Sequence, residues 1–408
     1  AGLGPSIDAL LAMLRERIVR PDVRYVSLKI SAVVADLDVL AFEHSVGRIA
    51  ERLRELYRLA GSVEPTTFVN LDMEEYRDLP LTIAATRRVL DEPEFAAVHA
   101  GIVLQAYLPD SHPACHELCR WAEARHRRAG GTLKIRVVKG ANLAMERVEA
   151  ELHGWPQAPY ATKAEVDASF KRLIVSALDP QWHDSVRVGV ASHNLFDLAW
   201  AICLPDQDRI DLEMLEGMAP AQARAVLARA HDVLLYAPVV RRDDLPSSIA
   251  YLTRRLDENT SPDNFLRDLF VLEPGGTAWA EQRRRFEAAL ASVDTVSTAP
   301  RRAQDRTAPG IHELVMPPST PARSGHDEVG GAGAAATGFS NTADTDWTSE
   351  ANRTWIAAAL AAPPVLDVSV LDTVEQIDAV VAAATASSWR DAGPAHRRAV
   401  LLRAADEM

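Results

Sequence analysis

Seven short, β-branched segments alternate with longer amphipathic stretches in the first two thirds of the chain. The segments are YVSLKIS (25–31), TFVNLDM (67–73), GIVLQAYL (101–108), LKIRVVKG (133–140), VRVGVAS (186–192), IDLEML (210–215) and DVLLYAP (232–238). Each is nearly continuously apolar, as expected for a strand that is buried on both faces. The stretches between them repeat apolar residues at helical spacing, as Val46, Ile49 and Leu53 do. The alternation predicts an α/β fold with a parallel sheet and right-handed crossovers.

The number of these units predicts a barrel rather than an open sheet. Seven strand–helix units in roughly 260 residues approach the size of an eight-fold (β/α)8 barrel. The chain starts at Ala1 and a helix-like stretch precedes the first segment, so we expect the first strand of the barrel to be missing. We assign the incomplete barrel to residues 1–295.

The composition changes after the predicted barrel. The segment 296–346 is dense in Pro, Gly, Ser and Thr without a sustained period, which predicts a linker. Alanine-rich helical patterns fill 347–408, and the second of them runs to Met408 without a capping signal. We therefore expect the start of a second, incomplete domain, and a chain that is shortened at both ends.

Charge and cysteine content exclude several classes of protein. Forty-four basic residues against 57 acidic residues give a net charge of −13, which argues against a nucleic-acid partner. No apolar stretch is long enough for a transmembrane helix. Three cysteines cannot form a disulfide framework, so the reducing cytoplasm is the expected compartment.

Polar residues end nearly every predicted strand. They are Lys29, Asp72, Gln105, Arg136, Lys139, Ser192, His193, Asn194 and Tyr236. Active sites of β/α barrels lie at the carboxyl ends of the strands, so we expect these side chains to converge. After the last strand, Arg254 and Arg255 are adjacent in a predicted helix, with Glu258 four residues beyond Arg254. Two guanidinium groups at that place are suited to binding a carboxylate.

Other readings of these residues remain open. Asp72 and Glu74 would serve a barrel hydrolase that uses a carboxylate pair, although the abundance of cations favours an anionic substrate or cofactor. Cys115 and Cys119 lack a second pair of ligands at metal spacing, so we expect no metal site. A third reading is a non-catalytic fragment that serves in assembly, because the chain is expected to be incomplete.

Several motifs carry a resemblance to a known family. VVKGANLAMERVEAELHGWPQAPY, VASHN, LEMLEGM, YAPV and YLTRRLDENTSPDNF resemble the proline dehydrogenase barrel of the bifunctional proline utilization A proteins. The resemblance covers roughly residues 20–295 and is specific because the motifs occur in the same order. PRRAQDRT and NTADTDW resemble the start of the second half of those proteins, an aldehyde dehydrogenase that oxidises glutamate semialdehyde.

The resemblance implies a reaction, a cofactor and partners. The family oxidises L-proline to Δ1-pyrroline-5-carboxylate by hydride transfer to N5 of FAD, and a membrane quinone reoxidises the flavin. The NAD-dependent second step would require sequence beyond Met408. The resemblance also implies a cytoplasmic protein. Peripheral contact with the inner face of the membrane and a homo-oligomer are both compatible with the full-length form.

The resemblance also assigns roles to individual residues. Arg254 and Arg255, together with Lys29, would bind the carboxylate of proline, while Tyr236 and Leu215 would line its ring. Asp72 would help to place Lys29, and Arg136 would lie near flavin N5, where a fixed cation stabilises the developing negative charge. The other positions that match flavin contacts are Gln105, Val138, Lys139, Gly140, Ser192, His193, Asn194 and Glu258.

Overall fold

The described residues form a seven-stranded parallel sheet in which each strand pairs with the next one in sequence. The computed structural model describes residues 7–230, 232–239, 249, 253, 264–308, 342–362 and 371–407. The strands are β1 (Tyr25–Lys29), β2 (Phe68–Asp72), β3 (Ala100–Gln105), β4 (Leu133–Val138), β5 (Val186–Ala191), β6 (Ile210–Leu215) and β7 (Val233–Tyr236). All seven predicted strands are present, and the curled sheet confirms the α/β class of the (β/α)8-barrel type.

Helices connect successive strands, as right-handed parallel crossovers require. One compact unit comprises residues 1–303 and 346–348. The helices in its described part are α1 (Ile7–Ile18), α2 (Phe42–Gly61), α3 (Asp78–Leu90), α4 (Ser111–Ala129), α5 (Leu143–His153), α6 (Lys163–Ala177), α7 (Leu195–Ile202), α8 (Pro220–Leu227), α9 (Phe265–Asp268) and α10 (Thr277–Ala291). Their apolar faces bury against the sheet. In α2, for example, Val46, Ile49 and Leu53 are fully buried at the predicted spacing.

The register of the sheet aligns the carboxyl ends of the strands. Lys29 of β1 pairs with Asp72 of β2, and Leu215 of β6 pairs with Tyr236 of β7. Among the described strands, β1 and β7 each have one neighbour. Because all strands run parallel, the polar residues that follow them emerge at the same edge. This edge positions the candidate site.

The residues that follow α10 contact the barrel unit. The Tyr160 hydroxyl donates to the carbonyl of Ser297, and Arg301 donates to the carbonyl of Pro159 at 2.7 Å. Arg302 lies between the rings of Tyr76 and Trp155, 4.7 Å from each centroid. Most of the predicted linker, 309–341, lies outside the described residues, and the boundaries at 295 and 346 stay predictions.

The second compact unit comprises 304–345 and 349–408. Its helices are α11 (Glu350–Ala361), α12 (Val374–Ala386) and α13 (Pro394–Glu407). In this unit Asn352 is buried, accepts the backbone N–H of Arg306 at 2.7 Å and donates to Gln304 at 3.0 Å. None of the helices in the described ranges is long and apolar enough to cross a membrane.

Candidate active site

A cavity of about 350 Å³ opens at the carboxyl ends of the strands. It is lined by twelve of the predicted site residues: Lys29, Asp72, Gln105, Arg136, Val138, Lys139, Gly140, Ser192, His193, Asn194, Leu215 and Tyr236. The expected convergence of strand-terminal side chains is therefore observed for these residues. Arg254, Arg255 and Glu258, by contrast, lie outside the described residues.

Arg136 lies at the floor of this cavity and is held from three sides. Its Nε is 2.6 Å from Oε2 of Glu213, its Nη1 is 3.9 Å from Oδ2 of Asp72, and its guanidinium lies over the ring of Tyr236, 5.1 Å from the centroid. Burial disfavours the charged guanidinium, but the carboxylates of Glu213 and Asp72 outweigh that effect and raise the pKa of Arg136. Arg136 is therefore a permanent cation in a fixed orientation.

Lys29 forms an ion pair with Glu74, a residue that the sequence analysis does not assign to Lys29. Its Nζ lies 2.7 Å from Oε1 of Glu74. Glu74 is itself fixed, because its carbonyl oxygen accepts from Gln105 at 3.3 Å and from Asn142 at 2.7 Å. The Asp72 carboxylate faces Arg136, and the role of Asp72 in placing Lys29 stays a prediction.

Three lysines and two aspartates form a cluster at one end of the cavity. Lys139 lies 2.5 Å from Asp167 and 2.7 Å from Asp197, Lys171 lies 2.7 Å from Asp197, and Lys163 pairs with Asp167. Three ammonium groups against two carboxylates leave a surplus of one positive charge. This lysine cluster is therefore suited to an anionic ligand such as a diphosphate.

The charges of the lysine cluster perturb one another. Burial disfavours the charged forms, but Asp167 and Asp197 outweigh it at Lys139 and raise the pKa of that lysine. Lys139 and Lys163 in turn hold the pKa of Asp167 well below its usual range, against the effect of burial. Burial of the Lys163 ammonium and the nearby charge of Lys139 lower the pKa of Lys163 to about 8.

Sequence reasoning found only Lys139 of this cluster. A signal for the others exists, because Lys163, Asp167 and Lys171 recur at intervals of four residues and thus share one face of α6. The start of α6 is also marked by a capping box formed by Thr162 and Glu165. Glu213 was missed as well, since it lies inside a segment that reads as an apolar strand.

The loop after β5 is fixed by its own polar side chains. The Ser192 hydroxyl accepts the N–H of Asn194 at 3.0 Å, and the Asn194 side chain accepts the N–H of Phe196 at 2.9 Å, which caps α7. Nε2 of His193 accepts the N–H of Leu215 at 3.0 Å, so the proton of a neutral His193 ring is on Nδ1. The His193 bond joins this loop to the end of β6 at the rim of the cavity.

Gly140 is required by its backbone and by its surroundings. Its φ of +116° lies in a region that other residues rarely adopt, and an added Cβ would lie 2.5 Å from the ring of Tyr107. The chain can therefore turn sharply after β4 and leave Lys139 directed at the cluster.

Comparison with known proteins identifies the family. Residues 8–268 match the sequence profile described as "Proline dehydrogenase". The chain belongs to the proline dehydrogenase family. It is 26% identical over 245 residues to the proline dehydrogenase of Deinococcus radiodurans, and this alignment covers 57% of this chain and 65% of that protein. It is 27% identical over 233 residues to the bifunctional protein PutA of Rhizobium meliloti, and this alignment covers 54% of this chain and 18% of that protein.

Solved structures extend the similarity beyond the barrel. Proline utilization A (PutA) from Corynebacterium freiburgense matches 95% of this chain with a TM-score of 0.76 and 38% identity, and 35% of that protein is covered. PutA from Bdellovibrio bacteriovorus matches 88% of the chain with a TM-score of 0.67 and 26% identity, and 36% of it is covered. The chain thus spans less than two thirds of each of these relatives. The resemblance to the proline dehydrogenase barrel of PutA proteins is confirmed.

Proposed function

We propose that this barrel catalyses the FAD-dependent oxidation of L-proline to Δ1-pyrroline-5-carboxylate, with electrons passed to a membrane quinone. Membership of the proline dehydrogenase family supports the substrate class. The observation that carries the proposal is the cation set of the cavity, in which Arg136 lies at the floor and the lysine cluster lies at one end. A substrate carboxylate and a dinucleotide diphosphate both require such cations.

The residues of the cavity fit FAD. The surplus positive charge of the lysine cluster matches a diphosphate, and a permanent cation at Arg136 suits a group that gains negative charge. We propose that the flavin is contacted by Gln105, Val138, Lys139, Gly140, Ser192, His193, Asn194 and Glu258. When bound, FAD supplies the chemistry that the side chains lack, because its N5 accepts a hydride from the carbon beside the ring nitrogen of proline.

The protein's own side chains bind and orient the substrate. In the proposed site, Lys29, Arg254 and Arg255 bind the carboxylate of proline, and Tyr236 and Leu215 line its ring. Arg136 is already fixed by Glu213 before any ligand binds, so little reorganisation is needed during the reaction. Beside the hydride, the proposed oxidation releases one proton from the ring nitrogen of proline, so it requires no acid–base pair of carboxylates.

The hydrolase reading is disfavoured by the ion pairs of the two carboxylates. Asp72 faces Arg136, and Glu74 is paired with Lys29. Each of the two carboxylates thus neutralises a cation of the site, whereas glycosidic cleavage requires a pair of carboxylates that act on the scissile bond.

The helices of the second unit support a further part of the proposal. We propose that they begin an aldehyde dehydrogenase domain, which uses NAD to oxidise the glutamate semialdehyde formed from the product of the barrel. The match of PutA from Corynebacterium freiburgense to 95% of this chain supports this assignment. A cytoplasmic location, with contact at the inner face of the membrane for quinone reduction, also belongs to the proposal.

An absorbance spectrum of the purified protein tests the proposed function directly. We expect flavin absorbance bands at about 380 and 450 nm. Under anaerobic conditions, we expect L-proline to bleach the longer-wavelength band. D-proline at the same concentration is the control for specific binding. A flavin-free protein that does not take up added FAD would contradict the proposal. Bound flavin that proline cannot reduce would instead favour the non-catalytic reading.

Removal of the Glu74 carboxylate is expected to strengthen the binding of proline. In Glu74→Gln, Lys29 loses a competing partner, while the amide keeps the shape of the side chain. An ion pair that is about one-third exposed contributes up to about 1 kcal/mol, so the dissociation constant for proline should fall by about two- to fivefold. Proline titration of the flavin spectrum measures it. Glu75→Gln is the matched control, since Glu75 pairs with Arg77; weaker binding in Glu74→Gln alone would refute the competition.

The pKa of Lys163 predicts how FAD binding depends on pH. Lys163 is positively charged below a pH of about 8 and loses its charge above it, so the attraction for a diphosphate declines as the pH rises through that value. Binding should weaken by about tenfold between one unit below and one unit above this pKa, as expected for the loss of one charged hydrogen bond. FAD titrations of the flavin-depleted protein measure the effect. Lys163→Met should abolish this pH dependence, and a dependence that persists would exclude Lys163 as its source.

A further inference from the structure

Six charged side chains of alternating sign form a continuous row along the inner face of the sheet. The row leads from the amino end of β5 to the floor of the candidate active site. In order, its members are Arg187, Asp211, Lys134, Glu213, Arg136 and Asp72, with successive contacts of 2.8, 2.9, 2.6, 2.6 and 3.9 Å. Positions two apart in β4 and in β6 supply its four central members, because alternate residues of a strand share a face. We call it the charge row.

Glu213 is the central and most deeply buried member of the charge row. Its side chain is fully buried between Lys134, which is 5% exposed, and Arg136, which is 11% exposed. A buried carboxylate is costly unless cations compensate it, and here each oxygen faces one cation. The contacts are ion pairs rather than well-aligned hydrogen bonds. Glu213 therefore acts mainly through its charge.

The neighbouring strand leaves room for this buried pair. At Gly189 of β5, an added Cβ would lie 2.4 Å from Oε1 of Glu213 and 3.0 Å from Cε of Lys134. A glycine with ordinary strand backbone is thus needed at this position for packing and not for its conformation. The space above Gly189 is filled by the ionic contact of Lys134 and Glu213, two residues to which the proposed function assigns no contact with substrate or flavin.

We propose that Glu213 and Lys134 are positioning residues that set the orientation and the effective charge of Arg136 toward the bound flavin. Through Arg136 they set the reduction potential of the flavin. The inference rests on the proposed function. Glu213 offsets part of the positive charge of Arg136, and Lys134 offsets part of the negative charge of Glu213. Because these groups are buried, solvent screens them weakly, and the flavin environment depends on both.

Opposite charges must shift the potential in opposite directions. Glu213→Gln removes a negative charge, so the reduced flavin becomes more stable and the potential moves to a more positive value. Lys134→Met removes a positive charge and should move it to a more negative value. We expect each to change the equilibrium constant for flavin reduction about tenfold, or about 30 mV for a two-electron couple. The double variant should return close to the parent.

The measurement is the flavin midpoint potential of each purified variant, determined spectroscopically against a reference dye. Glu94→Gln is the matched control, because Glu94 contacts Arg58 at the same 2.6 Å but on the surface; it should leave the potential unchanged. If Glu213→Gln and Lys134→Met leave the potential unchanged, or both shift it in the same direction, the inference is overturned. A parent protein that binds no flavin would instead refute the proposed function.

A variant further along the row keeps the test decisive if the buried single variants do not fold. Asp211 is 32% exposed, so the fold should tolerate Asp211→Asn. This change releases Lys134 from one of its two partners. We expect a positive shift that is smaller than the one for Glu213→Gln. A potential equal to that of the parent would overturn the inference.

Discussion

Replacement of Arg136 by methionine is expected to slow the reduction of the flavin by proline by about 100- to 1000-fold, the usual cost of removing one preorganised group that stabilises developing charge. Arg136 is the cation that Glu213 and Asp72 hold at the floor of the cavity. The effect should fall on the rate constant of reduction more than on the affinity for proline, because the flavin gains its negative charge only during the reaction.

Anaerobic stopped-flow measurement of flavin bleaching separates the two parameters. Arg58→Met is the control, since Arg58 forms a 2.6 Å ion pair with Glu94 on the surface. Arg136→Met also leaves Glu213 with one cation instead of two, so the double variant Arg136→Met/Glu213→Gln should recover any loss of stability but not the rate. A rate constant within about threefold of the parent would remove Arg136 from the proposed mechanism.

Removal of the Asp197 carboxylate is expected to destabilise the barrel by about 3–5 kcal/mol, the typical cost of breaking a buried ion pair from one side. Asp197 lies 2.7 Å from both Lys139 and Lys171, and its side chain and that of Lys171 are each 1% exposed. In Asp197→Asn, the charge of Lys171 remains buried without a carboxylate at that distance. Chemical denaturation measures the change in the free energy of unfolding.

Two further variants separate the buried charge from local packing. Asp184→Asn is the surface control, because Asp184 is 80% exposed beside His183 and should change stability by less than about 0.5 kcal/mol. The double variant Asp197→Asn/Lys171→Met removes both charges and should recover much of the loss. If Asp197→Asn behaves like the surface control, the ion pair with Lys171 contributes little to stability.

The parallel sheet and the edge at which the site lies could both be predicted from the amino-acid sequence. Uninterrupted apolar segments that alternate with helical periodicity are compatible with few arrangements other than a parallel sheet covered by helices. In such a sheet the ends of all strands meet, so a polar residue that follows an apolar run can be assigned to one common edge. For this reason Lys29, Gln105 and Tyr236 were placed correctly at the cavity without any knowledge of their contacts.

The partners of the charged side chains, by contrast, follow only from the folded structure. The distance along the sequence does not distinguish Asp72 from Glu74 as the partner of Lys29. The loop after β2 brings Glu74 to Lys29, because the side chains of Gln105 and Asn142 donate hydrogen bonds to the Glu74 carbonyl. Glu213 occurs in an apolar strand, and its pairing depends on a register that places it beside Arg136 of a strand two positions away. Local periodicity contains no information on such long-range contacts, because they depend on how strands and helices that are distant in sequence are placed together.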